Sequence, residues 1–109
     1  MINSIVAGNW KMNKTPKEGK VFIEKMISHL DSLGDTNVII CPPFTGLTSL
    51  PKSSKYDLGA QNCYFENSGA FTGEISVEML TDCGVKYVIL GHSERRSIFS
   101  EDDISIGKK

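Results

Sequence analysis

Val85-Lys86-Tyr87-Val88-Ile89-Leu90-Gly91-His92-Ser93-Glu94-Arg95-Arg96 is the stretch on which the fold turns. An apolar run from Val85 to Leu90 stops at Gly91, and five hydrogen-bonding side chains occupy the next five positions. The run reads as a buried strand over Lys86 to Leu90, and the segment after His92 as the first turn of a helix. In parallel α/β proteins chemistry gathers at the C-terminal ends of strands, where loops shape a site without disturbing the core. A histidine at such an end is therefore a candidate for catalysis.

The same strand-then-helix alternation extends back to the start. Ser4 to Gly8 is short, apolar and Gly-terminated, as a buried strand should be. Thr15-Pro16-Lys17-Glu18 then carries a helix start: threonine as cap, proline in the first turn, glutamate completing a capping box. Phe22, Ile23, Met26, Ile27, Leu30 and Leu33 follow at helical spacing, and Gly34 closes that helix. Asn37 to Cys41 reads as a second strand stopped by Pro42-Pro43, with a short helix from Thr45 to about Leu50. Tyr56 to Gln61 is a third, weaker strand. A polar, glycine-bearing loop runs from Asn62 to Glu74, and Ser76 caps a helix that Gly84 ends. Glu101 to Lys109 looks like another helix, its acidic residues suited to an N-terminus. Strands that read as continuous apolar runs predict a parallel sheet covered on both faces.

Composition narrows the function classes. The chain has 109 residues, is 39% hydrophobic and 23% charged, and carries a formal net charge of −1. Those values describe an ordinary globular domain, with no electrostatic argument for nucleic acid or an anionic membrane as partner. No apolar run approaches the roughly 20 residues that span a bilayer. Met1-Ile2-Asn3-Ser4-Ile5 lacks the basic start of a signal peptide, so the expected location is the cytoplasm. Cys41, Cys63 and Cys83 are odd in number and widely spaced, which fits small buried side chains better than disulfides or a metal knuckle.

Three clusters follow strands. In Gly8-Asn9-Trp10-Lys11-Met12-Asn13, extended backbone would put Asn9 and Lys11 on one side, an amide donor beside a point charge for an anion. Alone, such a pair is ordinarily solvated surface. His92 at a helix N-terminus would tend to stay neutral, although a lone histidine is ordinarily structural. His29, mid-helix on an exposed face, gets no role. Gly69-Ala70-Phe71-Thr72-Gly73-Glu74 suits a tight protruding tip that could dock on a partner or be only a loop.

Ala7 to Asn13, Cys41-Pro42-Pro43-Phe44-Thr45, Gly69 to Glu74 and Tyr87 to Arg96 together resemble the triosephosphate isomerase family, in its order and at about its spacing, over the whole chain. The resemblance implies an α/β fold, a (β/α)₈ TIM barrel to which this chain supplies about the first four βα units. Residues 1–109 would be the N-terminal half of that single domain. It implies interconversion of dihydroxyacetone phosphate and glyceraldehyde 3-phosphate, in glycolysis and gluconeogenesis, without metal or organic cofactor. Lys11 matches the residue that holds the anionic substrate, Asn9 its neighbour in the pocket, and His92 the neutral electrophile that polarises the carbonyl. Ser93 matches the serine that holds the catalytic base, and Glu94 a carboxylate beside the lysine. Arg95 and Glu101 match a structural ion pair. Thr72 matches a loop tip that enters the second subunit of a homodimer, with Gln61 and Asn62 near that interface.

The departure is one of length, since such barrels typically run to about 250 residues. The family's glutamate base, its lid and its phosphate-gripping turns have no match here, and neither Glu94 nor Glu66 matches the base. The chain is therefore expected to be part of a longer polypeptide and inactive alone. The competing reading is a free-standing half-barrel, structural or anion-binding, that closes its sheet on a second copy. A different phosphate-binding barrel enzyme fits the Asn9-x-Lys11 and Gly91-His92-Ser93-Glu94 combination less well.

Overall fold

The computed structural model describes residues 4–109. Met1-Ile2-Asn3, on which part of the signal-peptide reading rests, lies outside the described residues. Four strands, β1 (Ile5–Asn9), β2 (Asn37–Cys41), β3 (Asp57–Ala60) and β4 (Val85–Val88), form one parallel sheet in chain order. Helices α1 (Pro16–Met26) and α2 (Val77–Asp82) precede β2 and β4, and α3 (Ser93–Ile98) and α4 (Asp103–Lys108) follow β4. Parallel pairing brings every strand's C-terminal end to one edge of the sheet, so Asn9, Cys41, Gln61 and the residues after β4 become neighbours.

Local chemistry sets these elements. The Thr15 hydroxyl accepts from the Glu18 N–H at 3.2 Å, and the Glu18 carboxylate accepts from the Thr15 N–H at 3.1 Å, so the capping box forms. The single helix expected up to Gly34 does not. Beyond Met26 the chain tightens into a 3₁₀ helix, Ile27–Leu33. Ser28, His29, Asp31 and Ser32 are weak helix formers, and the Ser32 hydroxyl takes the His29 carbonyl for itself at 2.8 Å. The helix expected over Thr45 to Leu50 shrinks to one 3₁₀ turn, Phe44–Gly46, because the Ser49 hydroxyl likewise occupies the Gly46 carbonyl.

The core is built around β2. Ile23, Leu30, Val38, Ile40, Leu50 and Tyr56 form its main cluster, and Ile23 is wholly buried. Burial of such a side chain is worth about 1.5–3 kcal/mol. A second cluster of Leu47, Ala60, Cys63 and Leu80 seats α2 on β3. Gly59 is required there, since a Cβ would stand 2.5 Å from the Cys41 sulfur. Burial raises the pKa of the Cys41 and Cys63 thiols, which keeps them protonated and unreactive. Cys83 is only half-buried.

Coverage on both faces holds for β2 and fails at the edges. Ile5 and Val6 of β1 are 60% and 55% exposed, and Tyr87 and Val88 of β4 are exposed as well. Neither β1 nor β4 has a second partner strand among the described residues. No helix among the described residues is long and apolar enough to cross a membrane.

Candidate active site

The first site residue is the last of β1. Asn9 Oδ1 accepts the Lys11 backbone N–H at 3.0 Å, and the Trp10 N–H reaches the Cys41 carbonyl at 3.1 Å. The backbone does not stay extended through Lys11, contrary to the expectation from spacing. Lys11 sits at φ +56°, in the left-handed region that disfavours any residue with a Cβ. Such strain persists only where surrounding contacts hold it. Gln61, one residue past β3, supplies the holding contact: its Nε2 donates to the Lys11 carbonyl and to the Cys41 carbonyl, both at 2.9 Å.

Thus placed, Lys11 crosses the sheet edge. Its Nζ meets Glu94 Oε1 at 2.7 Å. The bond from Lys11 is the main cause of a lowered Glu94 pKa, so that carboxyl stays ionised. Glu94 in turn donates its backbone N–H to His92 Nδ1 at 3.0 Å. An Nδ1 that accepts a hydrogen bond carries no proton, so neutral His92 keeps its proton on Nε2. The 3.6 Å approach of Glu94 Oε2 to the same nitrogen is not an ion pair in that state. His92 therefore caps α3 with one nitrogen and keeps a donor on the other.

Asn9, Lys11, Gln61, His92 and Glu94 border a cavity of about 330 Å³. Asn62 and Arg95 line it too, and Leu47 and Ile89 add apolar wall. The remaining candidates lie around this group. Arg95 Nε pairs with Glu101 Oε2 at 2.8 Å. Ser93 is exposed at the start of α3. Thr72 is exposed on its loop, where Tyr64 stacks on Phe65 and meets Phe71 at a tilt, while the next residues, Gly73 and Glu74, border the cavity. Gln61 and Asn62 turn their side chains inward. Among the described residues no three His, Cys, Asp or Glu side chains gather where they could hold a metal ion.

Two features escaped the sequence reading. Gln61 as the brace of Lys11 was detectable, because it is a polar residue at the C-terminal end of the third strand. The burial of Lys109 was not: its Nζ reaches Glu101 Oε2 and Asn62 Oδ1, both at 2.9 Å, and only 6% of its side chain is exposed. Nothing in Gly107-Lys108-Lys109 marks one of two adjacent lysines for the interior.

The family model of triosephosphate isomerase matches residues 4–109 of this chain. The chain belongs to the triosephosphate isomerase family. It is 50% identical over 111 residues to the triosephosphate isomerase of Natranaerobius thermophilus, a match covering all of this chain and 43% of that protein. The triosephosphate isomerase of Carboxydothermus hydrogenoformans is 50% identical over 112 residues, with 45% of it covered. That of Aquifex aeolicus is 49% identical over 108 residues, covering 96% of this chain and 44% of the relative. The chain thus spans less than half the length of these curated relatives. Within the triosephosphate isomerase family, the parallel sheet and its helices are the first βα units of a TIM barrel.

Proposed function

We propose that residues 1–109 are the N-terminal half of one (β/α)₈ domain, and that the complete barrel interconverts dihydroxyacetone phosphate and glyceraldehyde 3-phosphate. The observation that carries this reading is the continuous Lys11–Glu94–His92 chain at the C-terminal edge of the sheet. The Lys11 ammonium holds the phosphorylated substrate and balances negative charge as it develops. Asn9, its Oδ1 already used, has an amide N–H with no acceptor among the described residues, available to donate. His92 donates from Nε2 to the carbonyl oxygen while the carbon loses its proton, and then passes protons between the two oxygens. Ser93 steadies the base before substrate arrives, and Arg95 with Glu101 braces α3. Glu94 is committed to Lys11, so the base that takes the carbon-bound proton comes from the other half of the barrel. On this reading the complete protein acts in glycolysis and gluconeogenesis, in the cytoplasm, and needs no cofactor.

The test joins residues 1–109 to the C-terminal half of the Natranaerobius thermophilus relative and measures isomerisation in a coupled assay. The chimera is expected to turn over and the 109-residue chain alone to be inactive. A folded chimera without activity sinks the isomerase reading, and turnover by the chain alone sinks the claim that its base lies elsewhere. The free apolar edges of β1 and β4 also favour a second reading, a half-barrel that closes on another copy of itself. Sedimentation of the 109-residue chain as a stable, inactive dimer would support it.

The complete barrel is further proposed to be a homodimer, with the Thr72 tip entering the second subunit and Phe71 as its aromatic anchor. Gln61 and Asn62 contribute by holding the cavity wall near the interface. Deleting Phe71 and Thr72 is expected to weaken dimerisation at least about tenfold by sedimentation, the loss of one anchor contact of about 1.4 kcal/mol or more. An unchanged dissociation constant removes the loop from the interface.

A further inference from the structure

We propose that Arg96 is a positioning residue for His92. Its neighbour Arg95 turns towards Glu101, but Arg96 turns back along the chain: its Nε donates to the Gly91 carbonyl at 2.9 Å and its Nη1 to Asp103 Oδ1 at 2.6 Å. The Gly91 carbonyl and the His92 nitrogen belong to one planar peptide unit. Fixing that carbonyl fixes the plane from which the His92 side chain projects.

The turn is confined from other directions too. Gly91 stands at φ +62°, and a Cβ there would lie 2.8 Å from Ile106 Cδ1 and 3.1 Å from Arg96 Nη2. On the ring side, the Glu94 N–H holds Nδ1. Asp103 and Ile106 both belong to α4, so that short helix, which lends no residue to the cavity lining, supports the histidine through Arg96. The ion pair with Asp103 is exposed and worth little by itself. Its use is to aim a guanidinium whose fork can serve a carboxylate and a carbonyl together, which a lysine ammonium does less well.

The kinetic consequence rests on the reading of His92 as the electrophile. A structural consequence does not, and the experiment measures both in the full-length polypeptide that carries this chain. Ring ¹⁵N resonances of His92 report its tautomer, with exposed His29 as an internal comparison. At a pH where imidazole is neutral, the parent is expected to show His92 as a single tautomer, protonated on Nε2. Arg96→Ala should move it towards the averaged tautomers of His29. In the isomerase assay kcat should fall about tenfold to a hundredfold, as for a displaced catalytic group, with KM changed less than about twofold. Arg96→Lys should recover part of both signals. Asp103→Ala, at an exposed position, should shift the resonances in the same direction by less, and it serves where Arg96→Ala does not fold. Unchanged His92 resonances in these variants overturn the proposal whatever the kinetics show. A parent without isomerase turnover removes the functional reading, and the resonances still decide the positioning role.

Discussion

Lys11→Ala in the complete barrel is expected to lower kcat/KM by at least about 10²–10³-fold, the usual effect of removing one preorganised electrostatic donor. The fold should survive. Lys11 and Glu94 are each about half exposed, 52% and 43%, so their ion pair adds little stability that could be lost. Alanine also keeps a Cβ at φ +56°, so the backbone strain stays and the charge alone is removed. Glycine would relax the strain as well and mix the two effects. The measurement is a coupled isomerase assay, with circular dichroism as a folding control. Sulfate, a simple dianion, should lose its competitive inhibition in the same variant. Near-parent turnover with intact sulfate inhibition would show that Lys11 is not the anion-holding group.

What the sequence discloses about this site depends on how local the physics is. Strand order, the Thr15–Glu18 capping box and the position of His92 at the head of α3 all follow from short patterns, and the structure has each of them. Asn9 and Lys11 are legible as a pair because they follow an apolar strand. Their actual relation is not legible, since it depends on a left-handed Lys11 held by Gln61 from two strands away. Extended backbone would set the two side chains on one side by simple alternation; the left-handed Lys11 brings both to the same cavity by a different geometry. Helix α1 ends early for a reason that is present in the sequence, a run of weak helix formers, Ser28, His29, Asp31 and Ser32, of which Ser32 bonds the His29 carbonyl. Hydrophobic spacing alone outvotes that run. The exposure of β1 and β4 is not legible in a single chain's pattern, because their apolar runs have the composition of buried strands while the described residues leave them at the sheet edges.

Glu101 should be the least replaceable carboxylate among the described residues. Its Oε2 accepts from Arg95 at 2.8 Å and from Lys109 at 2.9 Å, with only 6% of the Glu101 and Lys109 side chains exposed. Its Oε1 is buried with no hydrogen-bond partner among the described residues. Burial is the largest single influence on its pKa and acts upward. The bonds and charges of Arg95 and Lys109 together act downward and prevail, holding the carboxyl below its ordinary 4.5. Glu101→Gln keeps the shape and removes the charge, which leaves the Lys109 ammonium buried without its counter-ion. Breaking a buried pair from one side costs about 3–5 kcal/mol, a large share of a typical domain's 5–15 kcal/mol. The urea midpoint of the complete polypeptide should fall accordingly. Because the folded pKa is depressed, the contribution is present in full above the unfolded value near 4.5 and is lost as pH falls through the lower folded value. The parent should therefore lose stability below that pH, and the difference between parent and Glu101→Gln should narrow there. A midpoint unchanged at neutral pH, or a difference that does not shrink on acidification, would mean that the Arg95–Glu101–Lys109 group packs this corner of the barrel without stabilising it through charge.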